Sequence, residues 1–480
     1  MAWVADTGRR STRPSSARWW ALVIVGLATL MATMDTGIVV VALPSAQRAL
    51  RMSDSDRAWV ITAYTLAYGG LLLVGGRLAD RLGHRRALLV GATGFVVSSA
   101  AGGAALSGGM LIAARALQGA FAALLVPSAR ALVAILFPEE RPRTRAFGIF
   151  AATITTGAIL GFIVSGLLAD FLSWRWSLYA NVPVAAAVWA GTLLFVPDIA
   201  GDASVGIDIF SAIMASGGLA LVVFGLSEAA SAAWVSGPVA IPLALGLFAL
   251  VGFVVRQAVA ASPLLPLSIL ASGTRAPAFL ALALSSVGTF GLALIATYEL
   301  QVALHYSPLA TGAALVPFAL TAAMAAALLA PRLMRTVPST WLFVSGLGLA
   351  GIGLLCLSSA AATSALWLIV VGESLLGLGN GLSSTPSQVA VMRGLRSAQA
   401  GAASALASTS NQIGASVGSA LLNSLAVSAT AAYAAARPAQ DPLRAVSRGY
   451  SWAALVGAGL LVIGALFVGG LARAGGTGDP

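Results

Sequence analysis

The sequence contains no lysine, and all 27 of its basic residues are arginine. A phosphate-binding loop of the form G-x-x-x-x-G-K-[ST] needs its lysine, so ATP hydrolysis by that route is excluded. The stretch "GLGLAG" at 346–351 has the G-x-G-x-x-G spacing, but it lies in an apolar run that no strand precedes. That position favours close helix packing over a dinucleotide site.

Cysteine and histidine are almost absent, with Cys356 as the one thiol and His84 and His305 as the two imidazoles. A single thiol cannot form an intramolecular disulfide. Two histidines so far apart, with no cysteine cluster, do not make a zinc site. We therefore expect neither a bound metal nor a cofactor.

Charge is scarce too, since 9% of the residues are charged and 59% are hydrophobic. Soluble domains are about 25% charged, so the composition predicts a membrane protein. Apolar stretches of about 20 residues are long enough to cross a bilayer as helices and too long to be barrel strands. Fourteen such spans are predicted: 20–43, 59–77, 87–106, 109–137, 146–169, 176–196, 207–228, 236–255, 277–302, 308–330, 340–359, 364–390, 399–428 and 450–472.

The arginines are unevenly distributed between the two sides of these spans. With a cytosolic N-terminus, eighteen lie on the inside and seven, including Arg57, in outer loops. The positive-inside rule therefore predicts that both termini are cytosolic. Arginines in short loops do not form the basic face that nucleic acids need, despite the net charge of +11. We expect a multi-pass protein of a bacterial cytoplasmic membrane, because arginine in place of lysine is typical of GC-rich genomes.

The spans fall into two groups of six separated by a pair. Residues 75–91 and 330–346 align with three identities, and each links the second and third spans of one group. This predicts an all-α protein with five parts. They are a cytosolic tail at 1–19, a six-helix bundle at 20–197, an inserted helix pair at 198–262, a second bundle at 263–472 that opens with an interfacial segment, and a tail at 473–480.

Several motifs occur at matching places in this plan. "GRLADRLGHRR" (76–86) follows the second span, "RALQG" (115–119) lies in the fourth, and "MDTGIVVVALP" (34–44) lies in the first. "WRWSLYANVP" (174–183) opens the sixth span, and "YSPLATG" precedes the tenth. In these motifs the sequence resembles the major facilitator superfamily, specifically its fourteen-span drug:proton antiporter branch.

The resemblance implies that the 76–86 loop controls opening at the cytosolic face, through Gly76, Asp80, Arg81, Gly83 and Arg85. The family's span-5 antiporter motif retains its glycines at Gly157, Gly161 and Gly166. Phe162 stands in place of the motif's proline and Ser165 in place of one glycine of a pair. These changes leave export and import both open.

Three ionisable residues lie inside predicted spans, where charge is costly unless it is paired or hydrated. Asp35 and Arg115 are about 12 and 9 Å from the outer face, and Glu373 is about 13 Å from it in the other group. Similar depth makes Asp35 and Arg115 candidate partners. We expect all three to couple protons to substrate, the alternative for Asp35 and Arg115 being a static ion pair.

Further polar residues are candidates for lining a cavity: Gln118, Gln301, Asn411, Gln412 and Glu299. Glu299 lies near an outer span end, where water is expected to reach it. The sequence thus predicts a monomeric, proton-coupled exporter of lipophilic or cationic compounds, surrounded by membrane lipid. Alternatives are a dedicated exporter of one metabolite or lipid and proton-coupled uptake of a polar solute. A membrane enzyme, a receptor and a channel are disfavoured because no nucleophile–base pair or extramembrane domain is evident.

Overall fold

The computed structural model describes residues 15–203, 208–230, 232–260, 269, 275–363, 366–393, 397–438 and 442–474. These residues form helices and no β-strand. The helices are α1 (Ser15–Leu50), α2 (Asp54–Leu82), α3 (His84–Gly103), α4 (Gly108–Leu136), α5 (Glu140–Phe171), α6 (Trp174–Tyr179), α7 (Asn181–Phe195), α8 (Ile209–Glu228), α9 (Gly237–Val259), α10 (Arg275–Tyr298), α11 (Pro308–Met324), α12 (Ala330–Leu333), α13 (Ser339–Thr363), α14 (Leu366–Met392), α15 (Ser397–Ala436) and α16 (Pro442–Ala474).

Helices dominate because an apolar segment in lipid must satisfy its own backbone hydrogen bonds. Their ends carry the expected local signals. Ser53 and Asp56 form a capping box at the start of α2, in which the Ser53 hydroxyl accepts from the Asp56 N–H at 3.1 Å. α2 ends at Gly83, whose φ of 87° is a conformation that favours glycine. Two π-helical turns, Glu299–Ala303 and Ala325–Leu329, extend α10 and α11.

Twelve of these helical segments are long and apolar enough to cross a membrane. α2 becomes a thirteenth if its two parts, which meet at 57°, are one span. α5 is apolar over Thr156–Phe171, a shorter stretch. Over its described residues, each of the fourteen predicted stretches coincides to within a few residues with one helix or with consecutive helices. Most of the interfacial segment predicted before α10 lies outside the described residues.

The helices pack in two groups. α1–α7 contact mainly one another, as do α10–α16, while α8 and α9 pair together and α8 contacts α2 and α15. The groups meet where α2 packs on α15 and where α5 packs on α11. We call the end of the molecule where α1 ends and α2 begins the distal end. α10 and α15 also end there, and α16 begins there, because successive helices run in alternate directions.

Candidate functional site: a buried ion pair, an unpaired carboxyl and a distal cavity

Asp35 on α1 is completely buried and fully hydrogen-bonded. One of its oxygens accepts from an Nη of Arg115 on α4, with which it forms an ion pair. The other accepts from the side-chain amides of Gln118 and Asn181, each at 2.8 Å. The pair predicted from the matching depth of Asp35 and Arg115 is therefore present. The ion pair connects α1 to α4, and the hydrogen bond from Asn181 connects both to α7.

Arg115 uses its remaining donors inside the same cluster. Its Nε donates to the carbonyl of Val60 at 3.2 Å, and Nη1 donates to Gln118 Oε1 at 2.6 Å. The guanidinium also lies over the ring of Tyr64, 4.3 Å from the centroid. A buried charge is tolerated when it is paired and hydrogen-bonded in this way. Gln118, predicted as a cavity residue, is 1% exposed and belongs to this cluster.

Sequence reasoning missed Asn181, which bridges Asp35 and Ser99, donating to the Ser99 hydroxyl at 2.9 Å. The available signal was an amide in "WRWSLYANVP", a motif noted only for marking the start of a span. A side-chain amide just inside an apolar span needs a buried hydrogen-bond partner. Without Asn181, the Asp35 carboxylate would have fewer hydrogen-bond donors than a buried carboxylate needs.

Glu373 on α14 presents the opposite situation. It is fully buried, and neither carboxyl oxygen has a hydrogen-bond partner among the described residues. It lies apart from the Asp35 contacts, in the second helix group, where α14 packs against α10, α11 and α13. An ionised carboxylate in such a place costs several kcal/mol, whereas a protonated one carries no charge to stabilise.

A cavity of about 590 Å³ opens at the distal end between the two helix groups. Exposed residues such as Arg48 and His305 form its mouth, and buried ones, including Gln301, form its floor. Gln301 Nε2 donates to the carbonyl of Val41 at 2.9 Å, and its Oε1 has no partner among the described residues. The other lining residues are Pro44, Gln47, Asp54, Arg57, Tyr298, Val302, Ala426, Val427, Thr430, Ala431, Leu443, Val446 and Tyr450.

Arg57 corrects the sequence prediction, which assigned it to an outer loop. It is 5% exposed because the first turn of α2 already lies against α15. Its Nε and Nη2 donate to Asn423 Oδ1 at 3.1 and 3.0 Å, and its Nη1 contacts Asp54 at 3.0 Å. The guanidinium stacks on Tyr298 at 4.2 Å. Arg57 therefore joins α2 to both α15 and α10 across the cavity.

Glu299 corrects a second prediction. It was expected to reach water near a span end, but it is 4% exposed because the π-helical turn packs against α16. Ser447 donates to Glu299 Oε1 at 3.1 Å, and Oε2 has no partner among the described residues.

The two α15 amides predicted to line a cavity, Asn411 and Gln412, lie between helices. Asn411 Oδ1 accepts from Ser286 on α10 at 3.2 Å. Gln412 packs its side chain closely against Gly69 on α2. Both residues are half-buried. Asn411 faces α10 in its own helix group, and Gln412 faces α2 in the other group.

The charged 76–86 segment, predicted as a loop, consists of the last turns of α2, Gly83 and the start of α3. It contacts the segment that follows α7. The Asp202 N–H donates to the Asp80 carbonyl at 3.0 Å, and the Asp80 carboxylate lies 3.6 Å from His84. Arg85 donates to the carbonyl of Leu193 at 2.9 Å. The described contacts of Asp80 are with His84 and with Asp202, and none of them reaches the second helix group.

Other residues of the 76–86 motif also lie at or near the contact with residues 199–202. A side chain at Gly83 or Gly201 would collide with the facing backbone. Arg81 is exposed, and its carbonyl lies against Gly201. Gly76 has open space where a methyl group would lie, so packing does not require glycine there.

The span-5 glycines allow two close helix crossings. Gly157 and Gly161 face α1 at Thr33 and Met34, and Gly166 faces Leu309 on α11, across the boundary between the groups. Ser165, the departure from the motif, donates to the carbonyl of Ile38 at 2.6 Å. The hydroxyl therefore strengthens the contact between α5 and α1.

Comparison with known proteins agrees with this arrangement. The family model of the Major Facilitator Superfamily matches residues 25–419, so the chain belongs to that superfamily. It is 42% identical over 426 residues to the puromycin resistance protein pur8 of Streptomyces alboniger, covering 88% of this chain and 84% of pur8. It is 37% identical to the cephamycin export protein CmcT of Amycolatopsis lactamdurans, over 89% and 88% of the two chains. The protein is thus an efflux transporter embedded in a membrane by many helices.

Solved structures share the fold at low identity. An auto-inhibited peptide transporter of the POT family superposes with a TM-score of 0.68 at 15% identity, covering 95% of this chain and 97% of the transporter. A bacterial homologue of the lysosomal transporter Spinster gives 0.68 at 16% identity, covering 96% and 98%. At such identities the likeness concerns the fold alone.

Proposed function

We propose that this protein is a proton-coupled antiporter that exports lipophilic or cationic antibiotics across the bacterial cytoplasmic membrane. It has fourteen spans, works as a monomer and needs no bound cofactor. Residues 20–197 and 263–472 form the two moving halves, residues 198–262 form the inserted pair, and both termini are cytosolic. The packing of α1–α7 and α10–α16 as separate groups supports this division. The arginine distribution supports the orientation, which makes the distal end the outer face.

The buried, unpaired carboxyl of Glu373 is the observation that carries the proposal. In this closed environment the protonated form is favoured, since a charge has no partner. When α14 moves and water or a cationic cargo reaches the side chain, the ionised form becomes tolerable and the proton leaves. Competition between proton and cargo for this carboxyl exchanges one for the other without ATP.

Asp35 and Arg115 have a different role in this mechanism. Arg115, Gln118 and Asn181 all donate to the Asp35 carboxylate, so water or cargo reaches it only when the cluster opens. We assign the pair to keeping α1, α4 and α7 together as the first half moves, with coupling through Asp35 restricted to conformations in which Arg115 has withdrawn.

The gating and cavity roles fit the same cycle. Asp80, Arg81, Gly83 and Arg85 fix the cytosolic loop to the start of the inserted segment. Gln412 and Asn411 lie where α15 slides past α2 and α10. Gly76 is assigned to this loop on the family motif alone.

Puromycin is the cargo to test first, because it joins an aromatic body to an amine that is cationic at neutral pH, and pur8 is named for resistance to it. Purified protein in liposomes loaded with puromycin is expected to release it faster when the external medium is acidified. Glu373→Gln should abolish the acceleration. Glu139→Gln is the matched control, because Glu139 is exposed and, in the described part of the chain, forms an ion pair with Arg18 at the surface, so the variant should behave as wild type. Release that ignores the gradient in wild-type protein would contradict antiport.

A dedicated exporter of one natural product is the second candidate. Several relatives carry the name of a single compound, among them CmcT and the tetracenomycin C resistance and export protein of Streptomyces glaucescens. A competition panel of a cephamycin, tetracenomycin C and a lipophilic dye distinguishes export of many compounds from export of one natural product. Inhibition of puromycin release by unrelated members supports broad export, and inhibition by none supports a dedicated cargo.

A further inference from the structure

Directly behind residues that line the distal cavity lies a carboxyl group, that of Glu299, which the exchange at Glu373 does not use. Tyr298 and Gln301, which lie on the same turn as Glu299, line the cavity. Val446 and Tyr450, on either side of Ser447, line it as well. The Glu299 carboxyl, bonded to Ser447, is therefore enclosed by residues whose other faces meet the cavity.

Of the two oxygens of this carboxyl, one has a hydrogen-bond partner among the described residues and the other has none. Oε1 accepts from one hydroxyl, while Oε2 is buried and has no partner among the described residues. A protonated Glu299 leaves no charge uncompensated, and an ionised one needs water or a cation from the cavity. Both states are therefore within reach of a small rearrangement.

The surroundings do not neutralise Glu299 permanently. Arg57, a buried cation in the cavity wall, is engaged by Asp54 and Asn423. Arg444 and Arg448 share α16 with Ser447 but are exposed. α11, which also packs on the turn, has no titratable side chain between Pro308 and Met324. Among the described residues, the titratable and charged groups that line the cavity or lie on segments packed against the turn are Tyr298 on α10, Tyr450, Arg444 and Arg448 on α16, Asp54 and Arg57 on α2, Arg48 on α1, and His305 and Tyr306 after the turn.

From this geometry we infer that Glu299 is a second proton-binding site, which exchanges protons with the external solution through the distal cavity. The inference rests on the proposed antiport and its orientation, and it assigns the response to external pH to Glu299. Glu373 remains the site at which proton and cargo compete. Ser447 is a positioning residue that holds the carboxyl against α16.

The test uses full-length protein in puromycin-loaded liposomes, with internal pH fixed and external pH varied stepwise. Glu299→Gln is expected to flatten the dependence of release on external pH severalfold. Puromycin–puromycin counterflow without a gradient should stay at the wild-type rate, because it needs no net proton movement. Glu299→Asp, which keeps a carboxyl, should restore much of the dependence. Ser447→Ala should shift the profile toward higher external pH, because the hydroxyl stabilises the charged form.

The outcomes separate the two claims. Wild-type release that does not respond to the gradient overturns the antiport itself. A wild-type response with a superimposable Glu299→Gln profile overturns the role of Glu299 alone. Loss of counterflow in Glu299→Gln also overturns it, because the side chain would then be needed for the fold or for cargo binding. Glu139→Gln again serves as the control for removing a glutamate charge elsewhere.

Discussion

At the scale of single residues, the two deeply buried acids differ in what their neighbours supply. Asp35 has a cation and two amides as partners, so a charge on it is compensated. Glu373 has no donor among the described residues, so its charge is conditional. Their similar depth in the membrane could not distinguish the two acids. Depth determines the free-energy cost of burying a charge, whereas the neighbouring side chains determine how far that cost is offset.

The first prediction concerns the fixed pair. Asp35→Asn leaves Arg115 as a buried, uncompensated cation, which should cost about 3–5 kcal/mol of stability. Thermal unfolding of the purified protein in detergent measures the change. Glu139→Gln, which breaks an exposed pair with Arg18, should cost less than about 1 kcal/mol. Equal unfolding temperatures for the two variants would show that the Asp35 cluster does not stabilise the fold.

The sequence predicted the pairing of Asp35 with Arg115, because two opposite charges at one depth in a bilayer have few other solutions. It did not predict Asn181 or Arg57. Asn181 is recruited by α7 packing beside α3, and Arg57 is buried by α15, a helix 366 positions later at their contact. Partners that distant along the chain leave no local pattern.

At the scale of helices, length and apolarity predicted twelve segments that are long and apolar enough to cross a membrane, or thirteen with the bent α2, while the crossings depend on small residues that face backbone. α5 shows both points. Its course from Glu140 to Phe171 is continuous, although Phe162 replaces the family's proline. The glycines at Gly157 and Gly161 still set how closely it approaches α1.

The second prediction tests that approach with two alanines on the same helix. A methyl group at Gly161 would collide with the carbonyl of Met34, whereas one at Gly148 meets nothing within 4 Å. Gly161→Ala should therefore lose about 1–3 kcal/mol through overpacking. Gly148→Ala should be neutral or slightly stabilising, because alanine favours helix more than glycine does. Unfolding temperatures in detergent that rank the two variants in the reverse order would show that the close approach of α5 to α1 does not depend on Gly161.

At the scale of the whole molecule, hydrogen bonds that join the two helix groups cluster at the distal end. Arg57 reaches Asn423, Tyr298 donates to Gln47 at 2.7 Å, and the Leu309 N–H donates to Asp170 at 3.0 Å. Near the other end, Arg130 donates to Ser404 at 2.6 Å. In the proposed orientation, export by alternating access requires the distal contacts to separate so that cargo can leave on the outer side. The sequence indicated two groups but not which end holds them together.

The last prediction fixes that distal contact covalently. The hydroxyl oxygens of Thr62 on α2 and Ser419 on α15 lie 3.0 Å apart between the groups, close enough for cysteines there to form a disulfide after small adjustments. In a Cys356→Ala background, a membrane-permeant oxidant should cross-link Thr62→Cys with Ser419→Cys and stop gradient-driven puromycin release. A reducing agent should restore it. Ser358 and Ser451, whose hydroxyls are also 3.0 Å apart, both belong to the second group, so the same treatment of a cysteine pair there should leave release unchanged. Continued release by the fully cross-linked Thr62–Ser419 pair would mean that these two helices stay together throughout the cycle, and the outward path would then have to open elsewhere along the boundary.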